Sequence, residues 1–236
     1  QIQQTPHGKA LSNAWLGRLE YRVYSAKTVT ENLERYNRDL EHTRVWAEGD
    51  FAKPGLDQVD RLTDRSFSYT VEQVEQKEDL LRLWLKADPK ASEEYGAPRQ
   101  AVVTYSFGDT IKVQLQWFQK DANRIPEGIF FGMNPGFSKE EQLQLMKLGL
   151  PVDPFNVREG GNRKLHVAPS IRQGDIQLES RHAPLVSVGG VHLYDENEEY
   201  GDLDEGVYYV LFNNRWNTNF RLWYEENASF DFSVHL

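Results

Sequence analysis

The stretch Ala101-Val102-Val103-Thr104-Tyr105-Ser106-Phe107-Gly108-Asp109-Thr110-Ile111-Lys112-Val113-Gln114-Leu115-Gln116-Trp117 decides the fold class. Its apolar residues fall at Val103, Tyr105 and Phe107, stop at Gly108-Asp109, and resume at Ile111, Val113, Leu115 and Trp117. A period of two lines one face of an extended chain, and a Gly-Asp pair between two such runs is a hairpin turn. The C-terminal end repeats the pattern, with Phe230, Phe232, Val234 and Leu236 on one face and Asp231, Ser233 and His235 on the other.

Working outward, the same alternation places strands at 17–25 (Leu19, Tyr21, Val23), at Phe67–Val71 and at Leu81–Leu85, with a turn between Gln76 and Asp79. Further strands are expected at 165–168, 176–179, 185–188, 206–213 and 220–225. Many short strands with turn signals every roughly eight to twelve residues predict a mainly β chain, a large antiparallel β-sandwich. One helix is expected over residues 28–42. Thr28-Val29-Thr30-Glu31 has the form of a capping box, and Val29, Leu33, Tyr36 and Leu40 recur at helical spacing. Trp46–Leu56 then reads as a turn-rich linker. Residues 138–150 are open between a helix begun at Ser138 and a strand carrying Leu143 and Leu145. Pro151, Pro154 and Gly160-Gly161 mark a long loop, and nothing divides residues 1–236 into separate domains.

With no cysteine, the chain has neither disulfides nor thiolate metal sites. Its 27 basic and 36 acidic residues give a net charge of −9, which repels a phosphate backbone, and no apolar run reaches membrane-spanning length. Neither nucleic acid nor a membrane is therefore expected as a partner. Aromatic residues make up 12% of the chain, which suits a pleated core or, alternatively, the stacking of sugar rings.

No nucleophile elbow, phosphate loop or zinc helix occurs. The six histidines lie at no mutual ligand spacing, and the acidic run Asp195–Glu205 reads as a solvated loop. One segment concentrates polar chemistry: Phe212-Asn213-Asn214-Arg215-Trp216-Asn217-Thr218-Asn219-Phe220, followed by Trp223-Tyr224. Amides and a guanidinium supply directional donors and acceptors for hydroxyls, and indoles supply stacking faces. The same amides could instead knit a tight loop by bonding its own backbone.

This segment resembles the closing motif, N-N-x-W-G-T-N-F-x-x-W, of glycoside-hydrolase-like proteins distantly related to the family-38 α-mannosidases, with Asn217 standing for the glycine. Other stretches agree in order. These are the strand and tyrosine-bearing helix of Tyr21–Leu40, Asp50-Phe51-Ala52-Lys53-Pro54-Gly55-Leu56, Lys147-Leu148-Gly149, Val152-Asp153-Pro154, Gly160-Gly161-Asn162-Arg163, Leu165-His166 and Ala183-Pro184-Leu185-Val186. The family pattern favours strand just before Lys147. The resemblance implies a galactose-mutarotase-like sandwich belonging to a larger chain, whose upstream (β/α) barrel carries the catalytic carboxylates and any zinc. This chain itself would hold no cofactor and no catalytic pair. Its partners would be carbohydrate and its own N-terminal barrel. The residues implied for the sugar site are Asn213, Asn214, Trp216, Asn219 and Trp223, with Asp50, Lys53, Arg163 and His166 as lesser candidates. Three functions stay open: a sandwich module completing a glycoside hydrolase, an autonomous carbohydrate-binding module with a row of exposed rings, and a stand-alone mutarotase- or lyase-like enzyme with its own histidine and carboxylate.

Overall fold

The computed structural model describes residues 14–37, 39–217 and 221–236. In chain order the elements are β1 (Trp15–Val23), α1 (Ala26–Tyr36), α2 (Leu40–Phe51), β2 (Arg65–Ser68), β3 (Thr70–Lys77), β4 (Leu80–Lys86) and α3 (Pro89–Tyr95). They continue with β5 (Gln100–Ser106), β6 (Ile111–Phe118), β7 (Glu127–Asn134), β8 (Gln144–Lys147), β9 (Leu150–Val152) and β10 (Leu165–Val167). The last are β11 (Ser170–Gln173), β12 (Ile176–Ser180), β13 (Leu185–Val188), β14 (Val207–Asn213) and β15 (Ala228–His235). The described strands form two antiparallel sheets, one in the order β10-β13-β14-β7-β1-β2 and one in the order β3-β4-β5-β6-β15-β12-β11-β8-β9. The expected mainly β sandwich is what forms.

The decisive hairpin is β5–β6, with Val103 opposite Leu115 and Tyr105 opposite Val113. Its buried face, Ala101, Val103, Tyr105, Val113, Leu115 and Trp117, meets Leu19, Tyr21, Ile129, Phe131 and Tyr209 of the other sheet in one core. β15 delivers Phe232 onto Phe131 and Tyr209, with ring centroids at 5.4 and 5.0 Å. At Gly17, with φ +114°, β1 bulges against β7. A side chain there would strike the Tyr105 hydroxyl, which crosses between the sheets to donate to the Leu16 carbonyl at 2.5 Å.

β7 (Glu-Gly-Ile-Phe-Phe-Gly-Met-Asn) is buried along its whole length, and alternation does not reveal it. Ile129, Phe131 and Met133 face the inter-sheet core, while Phe130 faces a second apolar cluster with Tyr24, Val29, Leu193 and Tyr208 on the outside of the six-stranded sheet. A strand covered on both faces needs apolar residues at consecutive positions. Gly132 makes room for the Tyr208 ring, which an added Cβ would meet at 2.4 Å.

The helical region differs from expectation. Ser25, not Thr28, caps α1, accepting from the Thr28 amide at 3.2 Å, while Asp64 takes the Thr28 hydroxyl. Val29 and Leu33 are buried, but the helix stops at Tyr36, and a second helix, α2, occupies most of the expected linker. Only Ala47 of α2 is buried, so no apolar stripe announced it. The turn signal takes effect only at Ala52–Gly55. Asp88-Pro89 and Gly96, in left-handed backbone, start and stop α3, a helix that alternation alone leaves unassigned. In 138–150 only Gln144–Lys147 and the three residues from Leu150 pair as strand. Residues 221–225 form no strand; the Leu222 carbonyl serves Asn214 instead, and Tyr224 packs on Phe212 and Trp117. Phe220 lies outside the described residues. No helix is long and apolar enough to cross a membrane.

One buried ion pair ties the sheets at the end where β7 begins. Lys120, just past β6, places its ammonium 2.8 and 2.9 Å from the two oxygens of Glu127, and both side chains are wholly buried. The Tyr21 hydroxyl donates to the same carboxylate at 2.5 Å, and burial pushes the Glu127 carboxyl up to about 7 against the pull of Lys120. Removing one partner strands the other charge, whereas replacing both with apolar groups does not. Lys120→Met is therefore expected to lower unfolding free energy by about 3–5 kcal/mol. The double variant Lys120→Met/Glu127→Leu should recover most of the loss, as measured by urea denaturation of the three proteins.

Candidate functional site

The loop leaving β14 is held from within by Asn214. Its Oδ1 accepts from the Glu127 amide at 2.7 Å, and its Nδ2 donates to the carbonyls of Ile125 at 2.9 Å and Leu222 at 3.1 Å. Asn214 is buried, and its amide is occupied by the protein's own backbone. Asn217 closes the other end, its backbone N–H donating to the Asp50 carbonyl at 3.0 Å and its side chain to Gly49 at 2.8 Å. Asn217 uses its amide to tie the loop to α2.

Two motifs more than 150 positions apart in sequence thus pack as one unit. Phe51 meets Trp216 edge-on at 5.2 Å, and Lys53 Nζ reaches the Trp216 carbonyl at 3.4 Å. Between the tied ends, Arg215 turns inward and is buried. Its guanidinium donates to Glu196 Oε1 at 2.5 Å, to the Leu193 carbonyl at 2.7 Å and to Asn32 Oδ1 of α1 at 2.7 Å. It also lies 5.0 Å from the Trp216 ring centroid. All these bonds are local to the six-stranded sheet and its covering helix.

Beside this loop opens a cleft of 1170 Å³. Leu165 of β10 and Leu185 of β13 contribute apolar floor, the β8–β9 hairpin supplies Lys147 and Leu148, and the β14 loop supplies Asn213, Arg215 and Trp216. His166 is buried in the cleft wall, its Nδ1 3.2 Å from Lys147 Nζ and its Nε2 3.4 Å from the Arg163 carbonyl. A carbonyl only accepts, so Nε2 carries the proton and Nδ1 presents its lone pair to Lys147. Burial, reinforced by Lys147, pushes the His166 imidazole down to about 4, and burial also lowers the Lys147 ammonium. Glu196 lines the cleft, 2% exposed; its Oε2 is buried without a hydrogen-bond partner among the described residues.

Of the residues selected from sequence, Asn213, Trp216 and His166 come together in the cleft. Asn214 faces inward, Asp50 and Lys53 lie behind the loop, and Arg163 backs His166 while donating to the carbonyls of Asn197 and Glu198. Trp223 sits apart beneath Arg124, and Asn219 lies outside the described residues. Lys147, Glu196 and Arg215 were not among the selected residues. Lys147 and Arg215 stand inside quoted motifs, so their placement there was a usable signal. Glu196 was hidden in the acidic run, which is not uniformly solvated. Asp202 and Asp204 pair with exposed Lys139, whereas Asp195 takes His192 and Lys164 and Glu196 is buried. Among the described residues, no group of three His, Cys, Asp or Glu side chains is placed to hold a metal ion.

A family model described as a domain of unknown function, DUF5054, matches residues 1–115. No curated protein matches the chain. Among solved structures, HI1317 is 9% identical with a TM-score of 0.36, the match covering 71% of this chain and 64% of that one. YeaD from Salmonella typhimurium, a candidate mutarotase, is 11% identical with a TM-score of 0.37 and the same coverage, so the chain spans less than two thirds of either structure.

Proposed function

We propose that this chain is a carbohydrate-binding β-sandwich whose cleft seats a sugar beside Trp216. We further propose that it acts as the sandwich module of an α-mannosidase-like glycoside hydrolase, bracing a catalytic barrel and lending loop residues to the sugar site. The observation carrying this reading is the meeting of Trp216, Asn213 and Lys147 in one cleft. An indole offers a face to the C–H surface of a pyranose, while the Asn213 amide and the Lys147 ammonium can donate to ring hydroxyls. Tyr36, Leu148 and Val167, which are 51%, 103% and 59% exposed, surround the same cleft. Exposed apolar side chains grouped at a cleft suit a second domain seated over it. An autonomous module reading sugars on a flat platform is less favoured. Tyr36, Trp46 and Trp216 are all gathered around Phe51, with ring centroids 5.2–5.9 Å away, a compact cluster in place of an extended row.

One observation favours a second reading, an acid–base enzyme complete in itself. Lys147 and His166 stand in contact inside the cleft, with the imidazole neutral at ordinary pH. Such a pair can pass a proton to a bound sugar.

The binding test is calorimetric titration of the chain with mannose, glucose, galactose and their α-linked disaccharides. Trp216→Ala is expected to weaken the best ligand about tenfold, equivalent to about 1.4 kcal/mol, while leaving the melting temperature within a few degrees. A large drop in melting temperature with sugar affinity intact would instead give Trp216 a purely structural role against Phe51. The chain alone is expected to leave aryl α-mannosides intact; turnover abolished by His166→Gln would establish the second reading.

The acid response follows from His166. Its folded value of about 4 lies below its ordinary 6.5, so the folded protein holds fewer protons than the unfolded chain in between. The stability tied to this residue is complete above about 6.5 and is lost as pH falls through about 4. His166→Gln should therefore lose less unfolding free energy than the parent between pH values of about 7 and 4.5, read by urea denaturation at each.

A further inference from the structure

A second, smaller pocket of 260 Å³ opens where β7 begins, beside the turn that carries Asn217. Lys53, Gly55, Asn123, Arg124 and Asn217 line it. Among the described residues neither cation has a carboxylate partner. Lys53 Nζ donates to the Trp216 carbonyl at 3.4 Å, and the Arg124 guanidinium lies 4.6 Å from the Trp223 ring centroid. The charged groups acting on Lys53 are Glu127 on β7 and Arg124 on the loop before it. Glu127 is already engaged by Lys120 and Tyr21. Two cations, Lys53 and Arg124, thus line one pocket in a chain whose net charge is −9. Burial, with a contribution from Arg124 and against the pull of Glu127, brings the Lys53 ammonium down to about 8. Like charges brought together in partly desolvated surroundings are relieved by a bound anion.

We propose that this pocket binds an oxyanion between Lys53 and Arg124, either a free ion or the phosphate, sulfate or carboxylate group of a larger ligand. The guanidinium presents a planar fork and the ammonium a compact charge, a pairing suited to anionic oxygens. The site is distinct from the sugar cleft and stands whether or not that cleft binds sugar. Because the anion binds the charged form of Lys53, affinity is full below about 8 and declines as the pH rises beyond it.

The test uses the whole chain, titrated with inorganic phosphate, sulfate and acetate against chloride at constant ionic strength, with calorimetry and thermal unfolding as readouts. At least one anion is expected to bind saturably and raise the melting temperature. A preference for phosphate or sulfate identifies a tetrahedral group, and a preference for acetate a carboxylate. Lys53→Met and Arg124→Gln should each weaken binding about tenfold. Sulfate affinity should fall above about pH 8 in the parent and stay level in Lys53→Arg. Should Lys53→Met fail to fold, for want of a cation near Glu127, Arg124→Gln and the Lys53→Arg pH profile decide. No saturable response to any of the three anions, or full affinity retained in Arg124→Gln, overturns the proposal.

Discussion

A carboxylate buried between two sheets must be answered by a cation, and the Lys120–Glu127 pair meets that demand across the sandwich. The rest of the molecule is arranged around the answer. The Glu127 amide donates to the Asn214 side chain, Asn214 holds the strand-following loop in place, and that loop turns Arg215 inward while Trp216 lines the cleft. The Tyr21 hydroxyl completes the carboxylate and brings β1 into the same network. The cleft is thus positioned by polar contacts in the protein's interior as much as by apolar packing. Partly satisfied networks of this kind are costly and fully satisfied ones are rigid.

Arg215 has the complementary role. Its bonds reach α1 through Asn32, the 193–196 segment through Leu193 and Glu196, and its own loop through Trp216. A guanidinium whose donors are shared among several elements acts as a strut, and little of it remains for a ligand. Under the proposed sugar reading, contact falls instead to the Asn213 amide, the Lys147 ammonium and the Trp216 indole. The Lys53–Arg124 pocket differs, since among the described residues neither cation there has a carboxylate partner.

The strands with one wet face were legible because alternation records a sheet's sidedness directly, as in Ile111–Trp117 and Phe230–Leu236. β7 was not, since Phe130 and Phe131 serve cores on opposite faces and their adjacency erases the period. α2 was missed for the opposite reason: it packs on α1 and the β14 loop with almost no buried face of its own. In the site, the residue types of the β14 loop were informative and their directions were not. Asn213 and Asn214 are chemically identical neighbours, yet one lines the cleft and the other is consumed by backbone carbonyls. Direction depends on partners distant in sequence, here Glu127 and Gly49, and no local pattern encodes them.

The β8–β9 hairpin is an edge of the nine-stranded sheet, whereas the floor of the cleft it walls, at β10 and β13, belongs to the six-stranded sheet. The two sides of the cleft are therefore mounted on opposite slabs of the sandwich, and the distance between them is set by the thickness of the core filling. Side chains such as Leu145 and Ile171, buried in that core and absent from the cleft lining, act as spacers between the slabs. Exchange of one bulky core residue for another would change the gauge of the opening without altering a single residue that lines it.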